Sequence, residues 1–423
     1  MSRRAALLIV TAVAIVPRAI VVLIERRDLI EGLTEKSDRF AATLVDSGTF
    51  GFIAGRPSAF TQPLYSLVLA PLYATVGRSW LTIAVLQIVI AAATAVLVYA
   101  IGERVASRRI AVVGAALASL HPYLVWHDVH LNREIVDGLL AALVTLAIVV
   151  GTERNSVRFA AATGAACGLA ILGNARLAAL PAVLALYLLW ALRPRRTAVA
   201  AAVLVVAVSA VVVSPWVARN RISVGCLALT TDARALWKAN NLSTYDVLAR
   251  GEWIDQVPEH PGAPPWPELA ADITARGGQV VEVDECAQMR FYRGLVTDFW
   301  REHPGEKARL SLQAAGMLWN PTVTVDESGP SSGIAGVARD VGDPVYVILL
   351  YAFAVVGLLK LPRRFLVLVL ALLAYQTVMA MVFAGTVRYR APWDFLICIP
   401  AALGLAHVVH LIENRFRSTR KTT

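Results

Sequence analysis

The sequence predicts an all-α polytopic membrane protein of about ten or eleven transmembrane helices, with a small exterior domain set between late spans. Three observations predict it. Of the 423 residues, 57% are apolar and 17% charged, where a soluble globular protein has about 45–50% and about 25%. The mean hydropathy over the chain is +0.61, which a single buried core does not produce. Apolar runs of near-span length also recur along the chain, separated by short charged turns. Together these exclude a soluble enzyme, a disordered chain and a disulfide scaffold. The net charge of +10 therefore reports sidedness first and implies no nucleic-acid partner.

A span needs about 20 apolar residues. Ten runs come close to that length: 5–24, 80–101, 110–125, 135–151, 158–173, 177–192, 197–215, 344–359, 365–384 and 393–412. The first follows Ser2-Arg3-Arg4 like a signal sequence, but it lacks a small-residue cleavage site and is read as an uncleaved helix. An eleventh stretch, 63–77, is short and carries Pro63 and Pro71. Its length and prolines favour an interfacial or re-entrant helix over a span. This divides the chain into an N-terminal transmembrane module (1–215), an exterior domain (216–343) and C-terminal helices with a basic tail (344–423). The first module includes an exterior loop, 25–62, and the 63–77 helix.

Charge orients the spans. Segments 1–4, 102–109, 152–158, 193–196, 360–364 and 413–423 hold 17 Lys/Arg and 3 acids, whereas the opposing short loops 126–134, 173–176 and 385–391 hold 4 Arg. By the positive-inside rule the first set is cytoplasmic, and so are both termini. The exterior domain holds 12 Lys/Arg and 17 acids. Within it, MRFYRGLVTDFW has helical apolar spacing and reads as a cover for a small exterior core or as a membrane-surface helix. Cys226 and Cys286 share this domain and pair if the compartment oxidises. Cys167 and Cys398 sit in spans as small apolar residues. Arginine outnumbers lysine 35 to 5, as in a GC-rich bacterial coding bias, so the protein is placed in a bacterial cytoplasmic membrane.

The positive-inside rule depletes arginine from exterior turns, yet every short exterior turn here has one. Arg133, Arg176, Arg219, Arg388 and Arg390 all lie at this boundary, with Asp38 in the first loop, Asn132 and Glu134 before the span from 135, and Tyr389 between two arginines. Singly, each arginine is open to snorkelling, and Glu134 to a helix-dipole role. Convergence favours a phosphate ligand, because the guanidinium fork matches it in paired charge-assisted hydrogen bonds. His127, His130 and Glu134 would share a helix face as a divalent-metal patch, but without a fourth ligand interfacial hydrogen bonding is the preferred reading, and no metal residue is assigned. Arg18 beside Pro17, inside the first span, faces either an ion-pair partner or the phosphate.

The order of several fragments carries a resemblance. They are Asp38-Arg39-Phe40, Ser47-Gly48-Thr49-Phe50-Gly51, Gln62-Pro63-Leu64-Tyr65, Gly77 and Gln87. Then come Ala118-Ser119-Leu120-His121-Pro122, Arg133-Glu134, Pro215-Trp216 with Arg219-Asn220, and Leu236-Trp237-Lys238-Ala239-Asn240-Asn241. Last are Phe299-Trp300-Arg301-Glu302-His303-Pro304, Trp319-Asn320-Pro321 and Arg388-Tyr389-Arg390-Ala391-Pro392. In this order they resemble the polytopic GT-C glycosyltransferases, in the protein O-mannosyltransferase-like branch (glycosyltransferase family 39 type). The chain departs from the pattern at Arg39, where many members have Glu, and at Gln62-Pro63, where the aminoarabinose-transferase branch has Lys-Pro-Pro.

The resemblance implies a polyprenyl-phosphate-linked sugar donor, an exterior active site, inversion at the anomeric carbon and interfacial helices around the cavity. It calls for no resident cofactor, and the acceptor is a hydroxyl on protein, lipid or glycan. On this reading Asp38 is the general base. The arginine pool holds the leaving phosphate, and Glu134, Asn132 and Tyr389 position the acceptor or orient an arginine. The competing class is a transporter or flippase of a lipid-linked sugar. Such proteins often show pseudo-repeats and midplane sites, and neither is evident here.

Overall fold

The computed structural model describes residues 1–31, 35–279, 281–322 and 336–419. Residues 280 and 323–335 of the expected exterior domain, and 420–423 of the basic tail, lie outside the described residues. Among those described, the chain is helical, and its one β feature is a bridge between Ile53 and Arg56.

The main helices in chain order are α1 (Arg3–Glu25), α2 (Lys36–Ser47), α3 (Pro63–Val76), α4 (Trp80–Val105), α5 (Arg108–Ser119) and α6 (Pro122–His127). Then come α7 (Glu134–Arg154), α8 (Val157–Gly173), α9 (Leu180–Ala191) and α10 (Arg195–Ser223). Residues 216–343, the expected exterior domain, supply α11 (Ala233–Lys238), α12 (Pro267–Ala275), α13 (Glu285–Glu302) and α14 (Pro304–Trp319). The C-terminal part is α15 (Asp343–Leu358), α16 (Arg363–Val382), α17 (Val387–Arg390) and α18 (Phe395–Thr419). Among the described residues, seven helices are long and apolar enough to cross a membrane, corresponding to α1, α4, α7, α10, α15, α16 and α18. The protein is an all-α polytopic membrane protein.

All ten apolar runs form helix, but the run 110–125 is not one element. α5 stops at Ser119, and α6 begins at Pro122. Proline has no N–H for the ladder and forces the residue before it out of the helical region. α8 and α9 are also shorter than a full crossing. The stretch 63–77 becomes α3, whose 14 residues rise about 21 Å against about 30 Å of hydrocarbon. Pro63 occupies its first turn, and Gly77 closes it at φ +80°.

The bundle packs through small residues. A Cβ on Gly357 would lie 1.7 Å from the Pro400 carbonyl oxygen, and one on Gly404 would lie 2.0 Å from that of Phe353. α15 and α18 therefore cross with their backbones in contact, as lipid-embedded helices do where no hydrophobic effect separates them from solvent. On the outside, Leu186, Val203, Val211, Ile348 and Leu349 are exposed, as lipid-facing side chains would be.

Arg18 settles on ion pairing. Its Nε and Nη2 donate to Asp128, and its Nη1 donates to the Ala14 and Ser119 carbonyls. The two histidines pack on aromatic rings: His127 stacks on Tyr123, His130 stacks on Trp126, and His130 Nδ1 meets the Trp126 carbonyl. Burial pushes His130 down to about 4. Among the described residues no group of three or more His, Cys, Asp or Glu is arranged to hold a metal ion.

In the exterior domain, Met289, Tyr292 and Val296 of α13 pack on Ala228, Ala233 and Trp237, so the aromatic run covers a small core. Cys226 and Cys286 are disulfide-bonded. Asn240 joins this domain to the bundle. Its Oδ1 accepts from Trp300 Nε1 and Lys307 Nζ, and its Nδ2 donates to the Leu236 and Val382 carbonyls. Two separated sequence fragments, Leu236–Asn241 and Phe299–Pro304, thus meet at one buried amide.

Candidate active site

Four loops and the exterior domain close around a cavity of about 300 Å³. Each wall is built locally. Glu35 sits just before α2 in an extended conformation, so no helical turn fixes where its side chain points. Gln62 precedes α3 in the same way. Arg133 precedes α7, where the Asn132 side chain accepts from the Glu134 N–H and starts the helix. Arg176 rides a single 3-10 turn, Ala175–Leu177, capped by Asn174. Arg388 and Tyr389 come from α17, and Trp253 and Asp255 flank and enter the exterior 3-10 turn Ile254–Gln256.

The cationic wall holds three of the five expected arginines: Arg133, Arg176 and Arg388. Arg388 donates through Nε to Glu134 at 2.5 Å and through Nη2 to Glu35 at 3.4 Å. Burial opposes its charge, but Glu134 and Glu35 outweigh burial and hold its guanidinium well above the usual value. Arg133 donates to Gln62 Oε1 at 2.6 Å and pairs with Glu134 at 3.6 Å.

Arg133 Nε is buried without a hydrogen-bond partner, and Arg176 goes further. It is 9% exposed, and its Nε and Nη2 are buried without a hydrogen-bond partner. Its guanidinium lies 3.6 Å from the centre of the Tyr389 ring. Burial pushes it below its usual value; Tyr389 offsets this in part, and neighbouring Arg133 adds to the shift. Buried guanidinium nitrogens almost always have partners, and these two are left unsatisfied at the cavity wall. Behind it, Asp137 Oδ2 accepts from Asn174 Nδ2 at 2.9 Å, while Asn174 Oδ1 accepts from the Arg176 N–H. A buried acid thus orients the turn that presents the arginine.

The other two arginines stand elsewhere. Arg219 donates to the Ser58 and Phe50 carbonyls and lies over Trp216, tying the first exterior loop to α10. Arg390 is 1% exposed and bonds Asp394 and the Leu318 and Asn320 carbonyls, joining two of the family-like fragments.

Asp38 does not line the cavity. It accepts three bonds from Arg78, two from Nε and one from Nη2 at 2.9 Å, and another from the Tyr73 hydroxyl. The physical reason is its place one turn inside α2, on the face that packs against α3. The carboxylate beside the cavity's arginines is Glu35, three residues earlier, which the sequence reading passed over; Asp232 and Asp255 also line the cavity. Gln62, Asp137, Trp253 and Asp255 were missed as well. An acid inside an otherwise apolar run, as at Asp137, was the available signal for one of them.

Residues 57–218 match a family model described as dolichyl-phosphate-mannose-protein mannosyltransferase. That segment holds Arg133 and Arg176 but neither Glu35 nor Arg388. Among solved structures, the chain is similar to the archaeal oligosaccharyltransferase AglB from Archaeoglobus fulgidus in complex with an inhibitory peptide and a dolichol-phosphate. The identity is 14%, over 97% of this chain and 51% of that one, at a TM-score of 0.52. It is also similar to the Archaeoglobus fulgidus oligosaccharyltransferase tethered with an acceptor peptide containing the NVT sequon via a disulfide bond. There the identity is 13%, over 96% of this chain and 50% of that one, at a TM-score of 0.51. The chain spans about half the length of these structures. No curated protein matches its sequence. Both comparisons bear out the GT-C resemblance; at these identities the structural likeness speaks for the fold.

Proposed function

With the GT-C architecture as premise, we propose that this protein is a membrane glycosyltransferase that moves a sugar from a polyprenyl-phosphate donor to an acceptor hydroxyl at the exterior face. One observation carries the reading: a buried, unpartnered Arg176 guanidinium beside Arg133 and Arg388 in a cavity that also holds a carboxylate. The matched family, described as dolichyl-phosphate-mannose-protein mannosyltransferase, and the dolichol-phosphate complex of the similar archaeal enzyme support the donor class.

In the proposed reaction the acceptor oxygen attacks the anomeric carbon from the face opposite the phosphate, which inverts it. The bond from that carbon to the phosphate oxygen breaks, and Glu35 takes the acceptor proton. Polyprenyl phosphate departs with the bonding pair, its growing charge met by Arg176, Arg388 and Arg133. Glu134 holds Arg388 in place, and Tyr389 holds Arg176. Asp38 keeps a supporting role, fastening α2 to the segment after α3 so that Glu35 is presented.

The test is release of free polyprenyl phosphate by purified, reconstituted protein given a panel of polyprenyl-phosphate sugars and a mixed acceptor pool. Glu35→Gln should slow release by about 10²–10⁴-fold, while Asp38→Asn keeps at least about a tenth of the rate. The opposite ranking returns the base to Asp38. Movement of donor across the bilayer without release from any donor would sink the enzyme in favour of a flippase.

A further inference from the structure

The cavity has a second wall, contributed by the exterior domain, that the transfer reaction as described does not use. Trp253 and Asp255 stand there, with Asp232 beside them. The Trp253 ring lies 6.3 Å from the Tyr389 ring, tilted by 58°, and Tyr389 in turn covers Arg176. Tyr389 thus links the Arg176 guanidinium to Trp253 along the lining of one cavity. Asp232 is already engaged, since its carboxylate accepts from the Ala235 N–H and pairs with Lys36 at 3.5 Å. Asp255 is different. Its backbone carbonyl accepts from Lys238 Nζ at 2.8 Å, which pins the turn. Its carboxylate is exposed and makes no hydrogen bond or close ion pair with any described residue.

We infer that Trp253 and Asp255 form the donor's sugar subsite and select a neutral, hydroxyl-rich sugar. An aromatic face beside a free acceptor suits a ring with apolar C–H faces and hydroxyl edges. Hydrogen bonds from hydroxyls to a carboxylate are charge-assisted. The same carboxylate, offset only in part by Lys36 across the wall, disfavours an acidic sugar, so the wall also rejects. The inference rests on the proposed donor class and adds the sugar to it.

The experiment measures equilibrium binding and turnover together, for reconstituted wild type, Asp255→Asn and Trp253→Leu. The ligands are decaprenyl phosphate without a sugar, a neutral decaprenyl-phosphate hexose and the corresponding uronic-acid donor. Both variants should bind the neutral donor about tenfold or more weakly while binding the sugarless lipid as wild type does. Asp255→Asn should also narrow the preference for the neutral over the acidic donor. Unchanged binding of the neutral donor in both variants overturns the subsite. Equal weakening for the sugarless lipid also overturns it, by making the wall a structural support. Differential donor binding without any turnover would leave the subsite standing and sink the enzyme reading instead. Turnover with unchanged donor preference would do the reverse.

Discussion

Arg18 and Arg176 are both buried arginines near the same end of the bundle, and the protein treats them in opposite ways. Every guanidinium nitrogen of Arg18 has a protein partner, and the space beside it is about 40 Å³. Arg176 has an aromatic ring on one face, two bare nitrogens and a cavity of about 300 Å³ in front. Charge and burial alone do not separate a structural cation from a binding one, since both have them. What separates them is whether the protein completes the hydrogen-bond set itself.

This contrast can be broken most sharply at Arg18. Arg18→Ala strands Asp128 as a buried, unpaired charge and should cost on the order of 3–5 kcal/mol of stability, with activity per folded molecule unchanged. Thermal unfolding in detergent with parallel turnover checks it. A stable Arg18→Ala protein with lost turnover would make Arg18 part of the site. Arg176→Ala should do the reverse: turnover falls by about 10²–10³-fold, or about 2.7–4 kcal/mol, with little change in unfolding. A large destabilisation there would show that Tyr389 stacking, and not a ligand, is the arginine's purpose.

Lys307 sharpens the comparison from a middle position. It donates to Asn240 Oδ1 and the Met381 carbonyl, both at 2.7 Å, and burial pushes it down to about 8. Its folded value lies below the ordinary 10.5, so between about 8 and 10.5 the unfolded chain binds the extra proton. Stability should therefore rise with pH across that window. Lys307→Met should flatten that rise, a small effect read as the difference between two unfolding-against-pH curves.

The helices were legible because each apolar run states its own length. The break between α5 and α6 was legible too, in Pro122, but its consequence for span length was not drawn. The site was legible only in part. Arginines against the sidedness rule pointed to Arg133, Arg176 and Arg388, yet the same signal also raised Arg219 and Arg390, which spend their charge on carbonyls and on Asp394. Composition does not say which arginine finds a protein partner. Asp38 and Glu35 differ by three positions, so one step of helix start decides which carboxylate meets the cavity. That step depends on packing between α2 and α3, which no local pattern encodes.

The bond between Arg388 and Glu35 joins residues 353 positions apart. During synthesis the first acid is made and waits while the rest of the bundle is assembled. The cavity has no closed form until the loop between the last two spans is in place. Contacts of such separation pay their loop-closure cost late and form slowly. A nascent or truncated chain that stops before residue 385 could hold most of its helices and still present no phosphate site. The complete cavity, and with it the proposed chemistry, thus arrives in a single late step.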